Sequence, residues 1–109
     1  REMMVRNLST GREAKLLEGA AIEMAVSPDG RAVAYCKGPS HFGQELYMLP
    51  LTPPSAPGEL PQPAGPPVQI TEGRGRWHPH NGGWSPDGQK IFYTRDTDQS
   101  DIYIIENYQ

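Results

Sequence analysis

The chain has 109 residues, the length of one ordinary domain, and its 36% hydrophobic share gives it a lean core. Its net charge is −3 and its ten basic residues are scattered, which argues against a phosphate-tracking stripe and so against a nucleic-acid partner. The longest apolar runs fall far short of the about 20 residues of a membrane helix, so no membrane insertion is expected, and the single cysteine permits no disulfide within the chain.

Met3-Met4-Val5-Arg6-Asn7-Leu8 alternates loosely and is followed by Ser9-Thr10-Gly11 and then Glu13 to Leu17. Gly11 and Gly19 leave room for only about two helical turns between them, so a strand, a tight turn and a second strand are expected over 2–17. Next comes Ser27-Pro28-Asp29-Gly30, and the same tetrapeptide returns as Ser85-Pro86-Asp87-Gly88. Each residue suits a tight turn: Ser bonds the following backbone, Pro presets φ, Asp fits the third position and Gly tolerates positive φ. β-type runs flank both copies, Ile22–Val26 and Ala32–Tyr35 around the first, Trp84 and Ile91–Thr94 around the second, so two hairpins are expected. Cys36, at the end of the Ala32–Tyr35 run, reads as a buried, inert thiol.

Lys37 to Gln44 is a loop by composition, and it leads into a strand at Glu45–Leu51 that Pro50 places at an edge or an end. Residues 52–67 hold seven prolines in sixteen positions and read as a long surface excursion between neighbouring strands. A strand resumes at Pro67–Thr71, and Arg74 to Gly83 follows as a loop of unusual composition. The second hairpin takes 84–95, an acidic loop holds Asp96, Asp98 and Asp101, and Ile102–Ile105 is a closing strand.

Laid on each other, the two units are offset by 54 residues at the Glu-Gly pairs (Gly19 and Gly73), 58 at the turns, and 56 at Leu46-Tyr47-Met48 against Ile102-Tyr103-Ile104. Offsets that change only in loops are what insertions into a repeated four-strand unit produce. Trp84-Ser85-Pro86-Asp87-Gly88-Gln89-Lys90-Ile91-Phe92-Tyr93 and, less closely, Val26 to Tyr35 resemble the TolB-type, WD-like β-propeller repeat. In that family a Pro commonly stands two residues before the Trp, where this chain has Gly82 and Met24, and Val26 replaces the Trp in the first unit.

The resemblance implies an all-β fold of propeller blades, each a four-stranded antiparallel meander. Residues 1–20 are then the last strands of a preceding blade, 21–73 a blade carrying the Pro-rich insertion, and 74–109 a blade lacking its final strand. A propeller closes with about 4–8 blades, so the expectation is an incomplete propeller, completed by further blades of the same chain or by other copies. It also implies a loop face on which His41, Phe42, Arg74, Arg76, Trp77, His78 and His80 meet a protein or peptide partner. A periplasmic or extracytoplasmic location follows by the same resemblance.

No catalytic residue and no cofactor is expected. Ser27 and Ser85 sit in turns without an adjacent His or a nucleophile elbow. His41, His78 and His80 offer three imidazoles of the kind zinc takes, but no Cys or carboxylate stands at a family-type ligand spacing, so no metal is assigned. The three aspartates lack the Gly and distal Glu of a calcium loop. The function expected is a non-catalytic binding or scaffold module; the alternative is part of the substrate-gating propeller of a prolyl-oligopeptidase-like serine peptidase.

Overall fold

In the computed structural model, which describes residues 1–19, 21–40 and 43–97, the two Ser-Pro-Asp-Gly corners fold alike. The Ser27 hydroxyl donates to Asp29 Oδ1 (2.8 Å) and accepts the Ala32 N–H (3.0 Å), and Asp29 Oδ1 also accepts the Arg31 N–H (3.0 Å). Ser85 and Asp87 repeat the set with 2.6 Å between the side chains, 3.0 Å from Lys90 N and 3.0 Å from Gln89 N. Gly30 and Gly88 close the turns at φ 74° and 73°, a region that favours glycine. Each corner therefore satisfies its own polar groups and sends the chain back antiparallel.

The described residues form strands and no helix. β1 (Glu2–Arg6) and β2 (Glu13–Glu18) make an antiparallel hairpin, so the segment between Gly11 and Gly19 is a strand over 13–18. Met3 lies opposite Leu17 and Met4 opposite Lys15, which leaves Leu16 as a bulge and lets both Leu16 and Leu17 reach the core. β3 (Ile22–Val26), β4 (Ala32–Lys37) and β5 (Glu45–Thr52) follow as a meander. The outer edge of β5 is covered in two pieces, by β6 (Gln62–Pro63) at Leu51 and Thr52 and by β7 (Val68–Gln69) at Tyr47 and Met48. The Pro-rich segment is thus more than a surface excursion: it returns to the sheet at β6, and the Ala64 N–H donates to Pro50 O at 2.8 Å. Proline is tolerated there because none of the described residues pairs with the far side of the edge strand.

β8 (His78–Trp84) and β9 (Ile91–Asp96) form the second corner's hairpin. β8 begins six residues earlier than the composition suggests: residues 78–83, expected as loop, pair with β9. Gly82 is left over between Asn81, opposite Tyr93, and Gly83, opposite Phe92. A Cβ on Gly82 would stand 2.9 Å from Phe92 O, so the bulge requires glycine. The expected closing strand at 102–105 lies outside the described residues.

The core is organised by β4, whose residues Ala32 to Cys36 are all buried. A strand sends alternate side chains to opposite faces. Val33 and Tyr35 join Met3, Leu49 and Leu51 on one face, with Leu16 and Leu17 of the first hairpin packed on them. Ala34 and Cys36 join Leu46 on the other, against Trp84, Ile91 and Tyr93 of the last hairpin. One meander is therefore covered on both faces by separate two-stranded hairpins.

Candidate functional site

The approach to β8 is held from below by one carboxylate. Glu45, at the start of β5, accepts the Thr71 hydroxyl (2.6 Å) and the N–H groups of Gly73 (2.8 Å) and Arg74 (3.2 Å), while Thr71 Oγ1 accepts the Leu46 N–H at 2.9 Å. A carboxylate with several donors fixes the loop strongly. Above it the chain turns through Arg74 at φ 54°, a conformation uncommon for a residue with a side chain, and Arg74 pairs with Glu72 at 2.9 Å. Arg74 and Arg76 are exposed. Trp77 is half-buried, stacked on Tyr93 (centroids 6.3 Å apart, planes at 19°) with the Arg95 guanidinium 4.7 Å over its ring. The result is a rim carrying two exposed arginines, Arg74 paired with Glu72, beside a supported indole.

His78 and His80 enter the strand that follows, two residues apart and so on one side of β8. Asp96 stands opposite His78 in register. His78 Nε2 lies 3.1 Å from His80 Nε2 and 3.5 Å from Asp96 Oδ2, and His80 Nε2 lies 3.4 Å from the same carboxylate oxygen. His78 is fully buried, whereas the His80 and Asp96 side chains are each 40% exposed, so the group opens to solvent on one side.

Glu23 completes the arrangement from the central sheet. Its Oε2 is 3.0 Å from His80 Nδ1, and because a carboxylate only accepts, this contact places a proton on Nδ1. Glu23 sits in the β3–β4 register shift at φ 54°. Its other oxygen accepts the Asn81 N–H at 2.9 Å, and its carbonyl accepts Asn81 Nδ2 at 2.8 Å. Trp84 Nε1 adds a bond to Ala25 O at 2.9 Å. The imidazole of His80 is pushed toward its charged form, first by the hydrogen bond to Glu23 and further by Asp96, with burial opposing.

Of the expected partner-face residues, Arg74, Arg76 and Trp77 share the rim, and His80 lies beside it. His78 is buried, so it faces its own neighbours rather than an incoming molecule. His41 and Phe42, like Asp98 and Asp101, lie outside the described residues. Glu23, Glu45 and the pairing of Asp96 with the histidines went unforeseen. Cys36 is buried, its thiol pushed up to about 11, chiefly by burial and then by the Glu23 charge. It contacts Pro79 O at 3.7 Å, as an inert core thiol would. The chain matches no family model, no curated protein and no solved structure.

Proposed function

We propose that this chain is a segment of a β-propeller serving as a non-catalytic binding module, with a protein or peptide partner taken on the rim formed by Arg74, Arg76 and Trp77. The observation that carries the reading is the burial of β4 on both faces between hairpins belonging to different sheets. Blades of a propeller pack in this way, each meander sheltering its neighbour's apolar face. Phe92, on the opposite side of β9 from Ile91 and Tyr93, is 60% exposed, and a further blade, from this chain or another copy, would cover it.

The non-catalytic part of the proposal rests on the hydroxyls. Both corner serines spend their hydroxyl on a neighbouring aspartate and on a backbone N–H, which is turn chemistry. The rim has the composition of a contact surface: exposed guanidinium groups for charge-assisted bonds beside an aromatic held in place by its own neighbours.

The test is site-specific photocrosslinking in cells. A photoreactive residue at position 76 is expected to capture one discrete protein partner, and Arg74→Glu should suppress that capture. The same residue at position 89, in the opposite corner turn, should capture none. Equal capture from both positions, or capture indifferent to Arg74→Glu, would contradict the proposal.

A further inference from the structure

We infer that His78, His80 and Asp96 form a three-ligand site for a zinc-class divalent metal ion, with a fourth position open to solvent. The inference goes beyond the binding role proposed above and does not depend on it. In a tetrahedral zinc site with metal–ligand distances of about 2.0–2.1 Å, ligand atoms stand about 3.3–3.4 Å from one another. The three donor atoms here are separated by 3.1, 3.4 and 3.5 Å. Such a triangle has a point at bonding distance from all three corners, just out of their plane.

The protonation pattern agrees with the spacing. With its Nδ1 proton directed at Glu23, a neutral His80 turns the lone pair of Nε2 toward the triangle. Hydrogen bonding of the remote ring nitrogen to a carboxylate is the arrangement that orients metal-binding histidines and raises their basicity. Glu23 is itself anchored by Asn81, so the orienting carboxylate is fixed. Two imidazole nitrogens and one carboxylate oxygen suit zinc and its neighbours better than calcium or magnesium, which prefer all-oxygen shells. The partial exposure of His80 and Asp96 gives an ion a path in and leaves room for a water ligand.

Such an ion would join the first residues of β8 to the last of β9, and through Glu23 it would add a tie to β3. It would stiffen the strand immediately after Trp77. A shared proton could hold the same three atoms together without metal, and the test separates the two cases.

Purified protein is stripped with a chelator and titrated with Zn²⁺ against a chromophoric competitor, then with Co²⁺ while visible absorption is recorded. About one equivalent per chain is expected, with the intense visible bands of tetrahedral Co²⁺ and a rise in the thermal midpoint on adding zinc. Asp96→Asn, close in shape and partly exposed, should abolish stoichiometric binding while leaving circular dichroism unchanged, and His80→Ala should do the same. Glu23→Gln should weaken binding about 10–100-fold. Absence of stoichiometric binding, an octahedral Co²⁺ spectrum, or binding unchanged in Asp96→Asn would overturn the inference.

Discussion

Glu23 and His80 meet at 3.0 Å across the gap between the central sheet and the last hairpin, 57 residues apart in the chain. The same carboxylate receives the Asn81 backbone, so one side chain on the bulge of β3 holds two consecutive residues of β8. Glu23→Ala removes both contacts and keeps the unfavourable φ of 54°. Its expected cost is about 1–2 kcal/mol, the scale of hydrogen bonds to a charged group reduced for partial exposure. A urea midpoint unchanged within error would show that the contact is not formed in solution.

Leu46 is fully buried between β4 and the last hairpin. Truncation to Ala leaves a cavity that the surrounding strands cannot fill, and the expected loss is about 2–5 kcal/mol by denaturant unfolding. A loss under about 1 kcal/mol would mean that the hairpin does not cover that face.

The bulge at Gly82 sets which residues of β8 share a face with Asp96. Removing it restores an unbroken ladder from the corner, in which Asn81 stays opposite Tyr93 and His78 opposite Asp96. Deletion of Gly82 should therefore keep both the strand content measured by circular dichroism and zinc binding. Loss of zinc binding with the strand content intact would contradict the described register.

The corner aspartates make stability depend on acid. Both carboxyls are held below their ordinary range, Asp29 first by the Arg31 backbone N–H and then by Ser27, Asp87 first by Ser85 and then by the Gln89 N–H. Since the folded value is the depressed one, the contribution is present above the unfolded value of about 3.9 and is lost as pH falls below it. Comparing urea midpoints at neutral pH and near pH 3, the double variant Asp29→Asn, Asp87→Asn should lose part of the wild-type acid sensitivity. An identical loss in both proteins would contradict the assignment.

Cys36 should resist alkylation. With its thiol pushed up to about 11 and buried, little thiolate exists at pH 8 in the folded protein. Iodoacetamide followed by mass spectrometry should show slow modification in buffer and complete modification in denaturant. Rapid labelling in buffer would place the thiol at the surface.

How much of this was legible in the residues depends on how local the causes are. The corners were readable because Ser, Pro, Asp and Gly satisfy one another within four positions, and the strands around them follow from alternation. The burial of Cys36 followed from its place at the end of an apolar run. The start of β8 was not readable: His-Pro-His-Asn-Gly-Gly has loop composition, and only its pairing with Ile91–Asp96 makes it a strand. Return of the Pro-rich segment at Pro63 was hidden likewise, because an edge position forgives the missing N–H. Asp96 escaped notice as a partner of the histidines because a one-residue bulge in β8 decides whether they share its face. Glu23 escaped because its contact with His80 spans 57 residues and two sheets.

Packing on both faces of one meander is what the propeller reading stands on, and methyl-to-methyl NOEs in selectively labelled protein test it most directly. Cross-peaks are expected between Leu46 and Ile91 on one face and between Leu49 and the Leu16–Leu17 pair on the other, with none between Ile91 and Leu16 or Leu17. Cross-peaks joining Ile91 directly to Leu16 or Leu17 would put both hairpins on one side of the sheet and contradict the stacked-blade arrangement.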